Sequence, residues 1–229
     1  MNRIIVATLV FGLQLFAQDG KNLPAPVTST ERVNFAPGGV IRLTSSSSNL
    51  FVEAWDRPEV EIATTKSGPR AKCLDGVHVV TDRRSDIELA ISTTVPASSF
   101  FARLFGRTCR AKIEQHIQAP RDSKLVIQHG AGYVLVSRIS GDIEASSRSG
   151  DIVLMLPDPG PYSITAKSKF GSVTSDFAGT AHTEKLIGEQ FAAASASPSG
   201  KINLRIGFGG IAIKEVPPTP VAPVPAGGQ

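Results

Sequence analysis

From Gly132 onward the chain repeats one short pattern: a glycine, a polar or small residue, then apolar and polar residues in alternation. The units begin at Gly132, Gly141, Gly150, Gly160 and Gly171, with spacings of 9, 9, 10 and 11 residues, and return at Gly200 and Gly210. Alternation of this kind predicts strands, because successive side chains on a strand point to opposite faces. Ile143, Ile152, Ile164, Val173, Ile202 and Ile211 then share an interior, while Glu144, Thr165, Thr174, Asn203 and Arg205 face outward. A turn after every short strand gives a half-coil of roughly ten residues, and stacked coils about 4.8 Å apart bury a continuous ladder. The fold class expected is all-β: one β-solenoid or flattened β-helix domain with Gly-Asp corners. Upstream, strands are expected over Leu50 to Ala54 and Glu59 to Ala63, joined by the turn Trp55-Asp56-Arg57-Pro58, and then over Asp86 to Val95, Ile113 to Ala119 and Lys124 to His129.

The segment "RISGDIEASSRSGDIVLMLP" writes Ser-Gly-Asp-Ile twice. Glycine suits a corner that needs positive φ, and aspartate beside it can fold its carboxylate onto turn amides. Gly132, Gly141, Asp142, Gly150, Asp151, Gly171, Gly200 and Gly210 are therefore read as structural turns. The run "SSFFARLFGRTCRAK" breaks the repeat and clusters Phe100, Phe101 and Phe105 with Arg103, Arg107 and Arg110 as a candidate binding loop. The tail "VPPTPVAPVPAGGQ" carries five prolines and nothing for a core, and reads as extended or disordered.

The first residues change the compartment. One Arg, an apolar stretch from Ile4 to Phe16 and then Ala17 have the shape of a secretory signal peptide cleaved after Ala17. The stretch is short for a membrane span, which needs roughly 17 to 25 residues, so no stable transmembrane span is expected. The chain divides into a signal at 1–17, a linker at 18–37, the β domain at 38–216 and the tail at 217–229. Export makes a Cys73–Cys109 disulfide the default for the two cysteines, with a loop-entropy contribution of about 3 to 4 kcal/mol. Formal charge is +4, less one when Arg3 leaves with the signal, too mild to point to nucleic acid.

Candidate chemistry is sparse. Neither Cys lies in a C-x-x-C and no His stands at ligand spacing from them, so no metal or cofactor is expected. Two Asp after single glycines serve calcium poorly, since it takes six to eight oxygens. His78, His116, His129 and His182 are scattered, no G-x-S-x-G elbow occurs, and "GFGG" at Gly207 to Gly210 precedes no helix. Asp142, Glu144, Asp151 and Asp176 could supply the carboxylates of a glycoside hydrolase or lyase, with Trp55, Tyr133 and Tyr162 as its few aromatic platforms.

"NLFVEAWDRPEVEI" together with the Ser-Gly-Asp-Ile units resembles the adhesin-like domain of unknown function found in many exported or surface-attached bacterial proteins, related to the head domain of autotransporter adhesins. The resemblance spans roughly Gly38 to Lys214. It implies a right-handed solenoid-like fold and no established catalytic residues; the Phe100 to Cys109 insertion departs from the simplest pattern. The expected function is a non-catalytic binding or scaffold module of the bacterial envelope, periplasmic, surface-bound or secreted, with a polysaccharide, protein or lipid partner. The alternative is a carbohydrate-active β-helix enzyme using Asp142 or Asp151.

Overall fold

The computed structural model describes residues 25–69, 73–95, 111–157, 161–184 and 187–216. The signal peptide, the Phe/Arg loop with Cys109 and the proline-rich tail lie outside the described residues. Fifteen strands follow one another: β1 Val27–Asn34, β2 Val40–Ser45, β3 Asn49–Trp55, β4 Glu59–Ser67 and β5 His78–Ser85. Then come β6 Glu88–Thr94, β7 Lys112–Pro120, β8 Lys124–Ser137, β9 Ile143–Pro157 and β10 Tyr162–Phe170. The last are β11 Val173–Ser175, β12 Thr180–Glu184, β13 Gly188–Ala193, β14 Gly200–Phe208 and β15 Ile211–Val216. Each segment foreseen as a strand lies in one, but the turns foreseen at Gly132 and Gly150 are absent: those units continue the preceding ones within the single strands β8 and β9. The linker expected over 18–37 is corrected in part, since Val27–Asn34 form β1 and pair antiparallel with β4 along their whole length.

The strands make one mixed sheet with two arms. The long β8 and β9 run through both arms and pair with each other in parallel from Leu125↔Ile143 to Ser137↔Met155. The first half of β9 pairs with β14 and its second half with β15, while β8 divides in the same way between β2 and β3. One arm therefore runs β5, β6, β2, β8, β9, β14, β10, β13, β12, and the other runs β1, β4, β7, β3, β8, β9, β15, β11.

The repeat predicted consecutive coils stacked in chain order, and the observed order departs from this at two places. β6 and β7 lie outside β2 and β3, so β8 has to return to the far side of that pair. β14 and β15 slot between β9 and the earlier β10 and β11. Backbone pairing energy is much the same for any parallel neighbour, so the repeat fixes what a unit looks like and not which unit it meets.

Side-chain rows running across the strands build the core. Leu89, Ile41, Leu125, Ile143, Ile202 and Ile164 are successive register partners in one arm. Leu50, Val134, Ile152, Ile211 and Val173 form the matching row in the other. All of them are buried and belong to one hydrophobic cluster. Each Leu or Ile removed from water contributes roughly 1.5 to 3 kcal/mol, so these rows outweigh any single polar contact.

Candidate functional site

The corners between the arms are built by glycine. In β9 the buried positions are 143, 145 and 147 before the corner and 152, 154 and 156 after it, so the inward parity switches across Ser149, Gly150 and Asp151. β8 switches in the same way between His129 and Val134. The positive-φ glycines reset the alternation and send the next side chains to the opposite face, and they do so in step on both strands, whose register runs unbroken from Ala131↔Ser149 to Val134↔Ile152. Gly132, Gly150, Gly209 and Gly171 have φ of 126°, 113°, 123° and 145°. Close stacking adds a second demand: a Cβ at Gly150 would overlap the Gly132 carbonyl oxygen, and one at Gly209 would overlap that of Gly150.

The turn glycines read from sequence thus fall into two kinds. Gly132, Gly150 and Gly171 occupy this corner row. Gly210 does not have positive φ; its neighbour Gly209 does. Gly141 also lacks positive φ but faces the Ser123 and Asp122 carbonyl oxygens, while at Gly200 the nearest atom to an added Cβ is the Ser140 oxygen at 3.1 Å.

Both repeated aspartates reach one strand unit. Asp142 Oδ1 accepts the Lys201 N–H at 2.9 Å, and Asp151 Oδ1 accepts the Gly210 N–H at 2.9 Å. The two bonds each span 59 positions in sequence, so the nine-residue repeat in β9 matches the nine-residue step from Lys201 to Gly210. Asp142 also faces Lys124 Nζ at 3.5 Å. At about 3.3 Å per residue, the straight part of β9 alone separates the two carboxylates by roughly 20 Å, well beyond the roughly 5 to 9 Å of a glycosidase pair. Asp176 is held by Lys214 Nζ at 3.1 Å, and Glu144 is exposed on the outer face.

The aromatic candidates are dispersed. Tyr162 is buried and its hydroxyl donates to the Pro157 carbonyl at 3.0 Å. Trp55 Nε1 donates to the Glu59 carbonyl at 2.8 Å, with the Arg57 guanidinium 5.0 Å from its ring. Tyr133 stands near Phe51, which stacks on His116 at 4.6 Å. Cys73 is buried at 5% exposure. Among the described residues no group of three or more His, Cys, Asp or Glu could hold a metal ion, and no helix is long and apolar enough to cross a membrane.

A buried polar row lies just before the corner: Thr93, Ser45, His129 and Ser147 are register partners across four strands. His129 Nε2 meets the Ser48 carbonyl at 2.9 Å, which places the ring proton there, and Nδ1 meets Ser147 Oγ at 3.2 Å. Burial lowers the His129 pKa, partly offset by the Ser48 carbonyl.

The sequence reading missed a basic cleft on the first arm. β9, β14 and β10 lie side by side there, with Ser146, Arg205 and Lys167 as register partners. Gly207 lies two residues beyond Arg205, where a Cβ would meet the Arg148 carbonyl oxygen at 2.6 Å. The cleft holds about 470 Å³ and is lined by Ser146, Lys167, Lys169, Phe170, Ile187 and Arg205, among others. Phe170 stacks on Phe208 at 4.8 Å, and Lys169 Nζ lies 5.4 Å from the Phe170 ring. These cations are more than thirty residues apart in the chain at the extremes, and only the out-of-order stacking of β14 between β9 and β10 brings them together.

No family model matches the sequence, and no curated protein matches it significantly. Solved structures give remote likenesses. A candidate cell adhesion protein from Clostridium sporogenes is 13% identical, with 84% of this chain and 100% of that one covered and a TM-score of 0.48. Candidate adhesins from Parabacteroides distasonis and Bacteroides fragilis are 10% and 13% identical with TM-scores of 0.30 each. They cover 82% and 84% of this chain, and 65% and 99% of their own. Scores this low assign this chain neither a fold family nor a function.

Proposed function

We propose that the chain is an exported, non-catalytic, adhesin-like binding or scaffold module of the bacterial envelope, carried on a solenoid-like stack of bent strands. The observation that supports it most is the fate of the repeated carboxylates. Asp142 and Asp151 each accept a backbone N–H of the β14–β15 unit 59 residues away, which is a repeated tie between stacked strands and not the local turn bond the sequence suggests, nor the arrangement of a reacting pair. What is left for function is the outer surface, where rows of Ser, Thr, Asn, Lys and Arg side chains cross several strands. In this reading residues 1–17 direct export, Cys73 and Cys109 are joined, the Phe100 to Arg110 loop adds to the binding surface, and the partner is an envelope or surface polymer, lipid or protein.

The test is retention of the mature chain on an array of glycans, peptidoglycan and lipids, with product analysis of every hit. Retention with the ligand unchanged is expected. Shortened glycan products from the purified chain would overturn the proposal in favour of a carbohydrate-active enzyme.

A further inference from the structure

The basic cleft between β9, β14 and β10 has a chemistry of its own. Lys167 and Arg205 are direct partners on neighbouring strands, about 4.8 Å apart in backbone. Lys169 lies two residues along from Lys167, roughly 6.6 Å on. The three therefore ring one small area, at the end of which Gly207 lets the Arg148 backbone approach closely. Arg148, Lys169 and Arg205 are exposed. Two carboxylates adjoin the cleft: Glu189, opposite Ser168, turns its Oε2 to the Val173 N–H at 2.7 Å, and Glu144, opposite Asn203, lies on the outer face two residues before Ser146.

The rim of the same cleft is apolar. Ile187 lines it at 63% exposure, and Phe208, stacked on the lining residue Phe170, is 56% exposed. These are two of the five large hydrophobic residues that stand exposed among the described residues, and both sit beside the cations. Cations next to solvent-facing Ile and Phe match the boundary between charged headgroups and acyl chains. An acidic glycan is served less well, because apart from the cations the lining side chain offering hydrogen bonds on this face is Ser146, too few for reading sugar hydroxyls.

We propose that this cleft docks on an anionic lipid surface, with Lys167, Lys169 and Arg205 around a headgroup phosphate and Ile187, Phe170 and Phe208 against the adjoining apolar region. The assignment rests on the binding-module reading and names its partner.

The test is flotation of the mature chain with vesicles of phosphatidylcholine alone and of phosphatidylcholine mixed with phosphatidylglycerol, beside retention on the glycan and peptidoglycan array. Binding is expected to the mixed vesicles only. Lys169→Gln/Arg205→Gln should weaken it at least about tenfold, since each cation near an anionic leaflet contributes about 1 kcal/mol. Arg57→Gln/Lys112→Gln, matched in charge and away from the cleft, should leave it within about twofold. Ile187→Ser/Phe208→Ser, which alters no charge, should weaken it about tenfold through lost apolar burial. All three variants change exposed side chains, and unaltered melting confirms that they fold.

Glycerol phosphate binding as tightly as the vesicles, unaffected by Ile187→Ser/Phe208→Ser, would overturn the lipid surface in favour of a free phosphate ligand. Equal loss in the cleft variant and its charge-matched control would overturn the cleft. An acidic glycan held through Lys169 and Arg205, with no vesicle binding, would overturn this proposal and leave the binding module standing. No retention on vesicles or array would overturn both.

Discussion

A methyl group at Gly209 would sit on the Gly150 carbonyl oxygen at a φ of 123°, whereas at Gly210 the nearest atom is Asp151 Oδ1 at 3.3 Å. Gly209→Ala is therefore expected to cost about 3 kcal/mol, combining the left-handed penalty with overpacking. Gly210→Ala should cost under about 1 kcal/mol. Thermal melts of the two variants check this, and similar losses would contradict the corner assignment. His129 makes a second residue-scale prediction. Its folded pKa lies below the ordinary 6.5, so as pH falls through about 6.5 the unfolded chain takes up a proton that the fold resists. Stability is full above that pH and declines below it until the folded pKa is reached. The row around the ring, Thr93, Ser45, Ser147 and Ser48, holds no other titratable group, and His129→Gln should flatten the decline. At this scale the aspartates, read as folding onto their own turn amides, instead reach the Lys201 and Gly210 amides 59 residues away. The need for glycine at Gly132, Gly150 and Gly171 was legible, because positive φ is a local demand. The one-residue choice between Gly209 and Gly210 was not, because it depends on a carbonyl 59 residues away in sequence.

Strand β14 and its continuation β15 join the sheet after β9 and β10 are already in the chain, and Asp142 and Asp151 hold them at the start of β14 and at the junction before β15. Asp142→Ala and Asp151→Ala should each lose about 1 kcal/mol. The sites are far enough apart for the losses to add. Amide exchange at Lys201 should accelerate in the first variant and at Gly210 in the second; exchange unchanged at both would remove the capping role. The strands themselves were legible from alternation, since Ile143, Ile152, Ile164 and Ile211 all point inward as their spacing requires. Stacking order was not. Ile202 fits equally well beside Ile143 or Ile164 and in fact lies between them, and nothing in a repeat of near-identical units says which neighbours it takes. The basic cleft inherits that ambiguity, because Lys167, Lys169 and Arg205 become one cluster only through this insertion.

For the molecule as a whole, a Cys73–Cys109 bond predicts that the mature chain melts earlier under reducing conditions, by about 3 kcal/mol; mass spectrometry finding two free thiols would contradict it. The proposed function requires that the repeated Ser-Gly-Asp-Ile units shape the corners and that the outer faces carry the ligand. The most direct test is the Asp142→Asn/Asp151→Asn double variant, in which each amide oxygen can still accept the Lys201 or Gly210 N–H while the carboxylate chemistry is gone. Its ligand retention and ligand products should be measured beside those of the unaltered chain. Equal retention, with the ligand intact in both, is the predicted result. A ligand cleaved by the unaltered chain and spared by the variant would contradict the account and make the repeated aspartates the reacting groups.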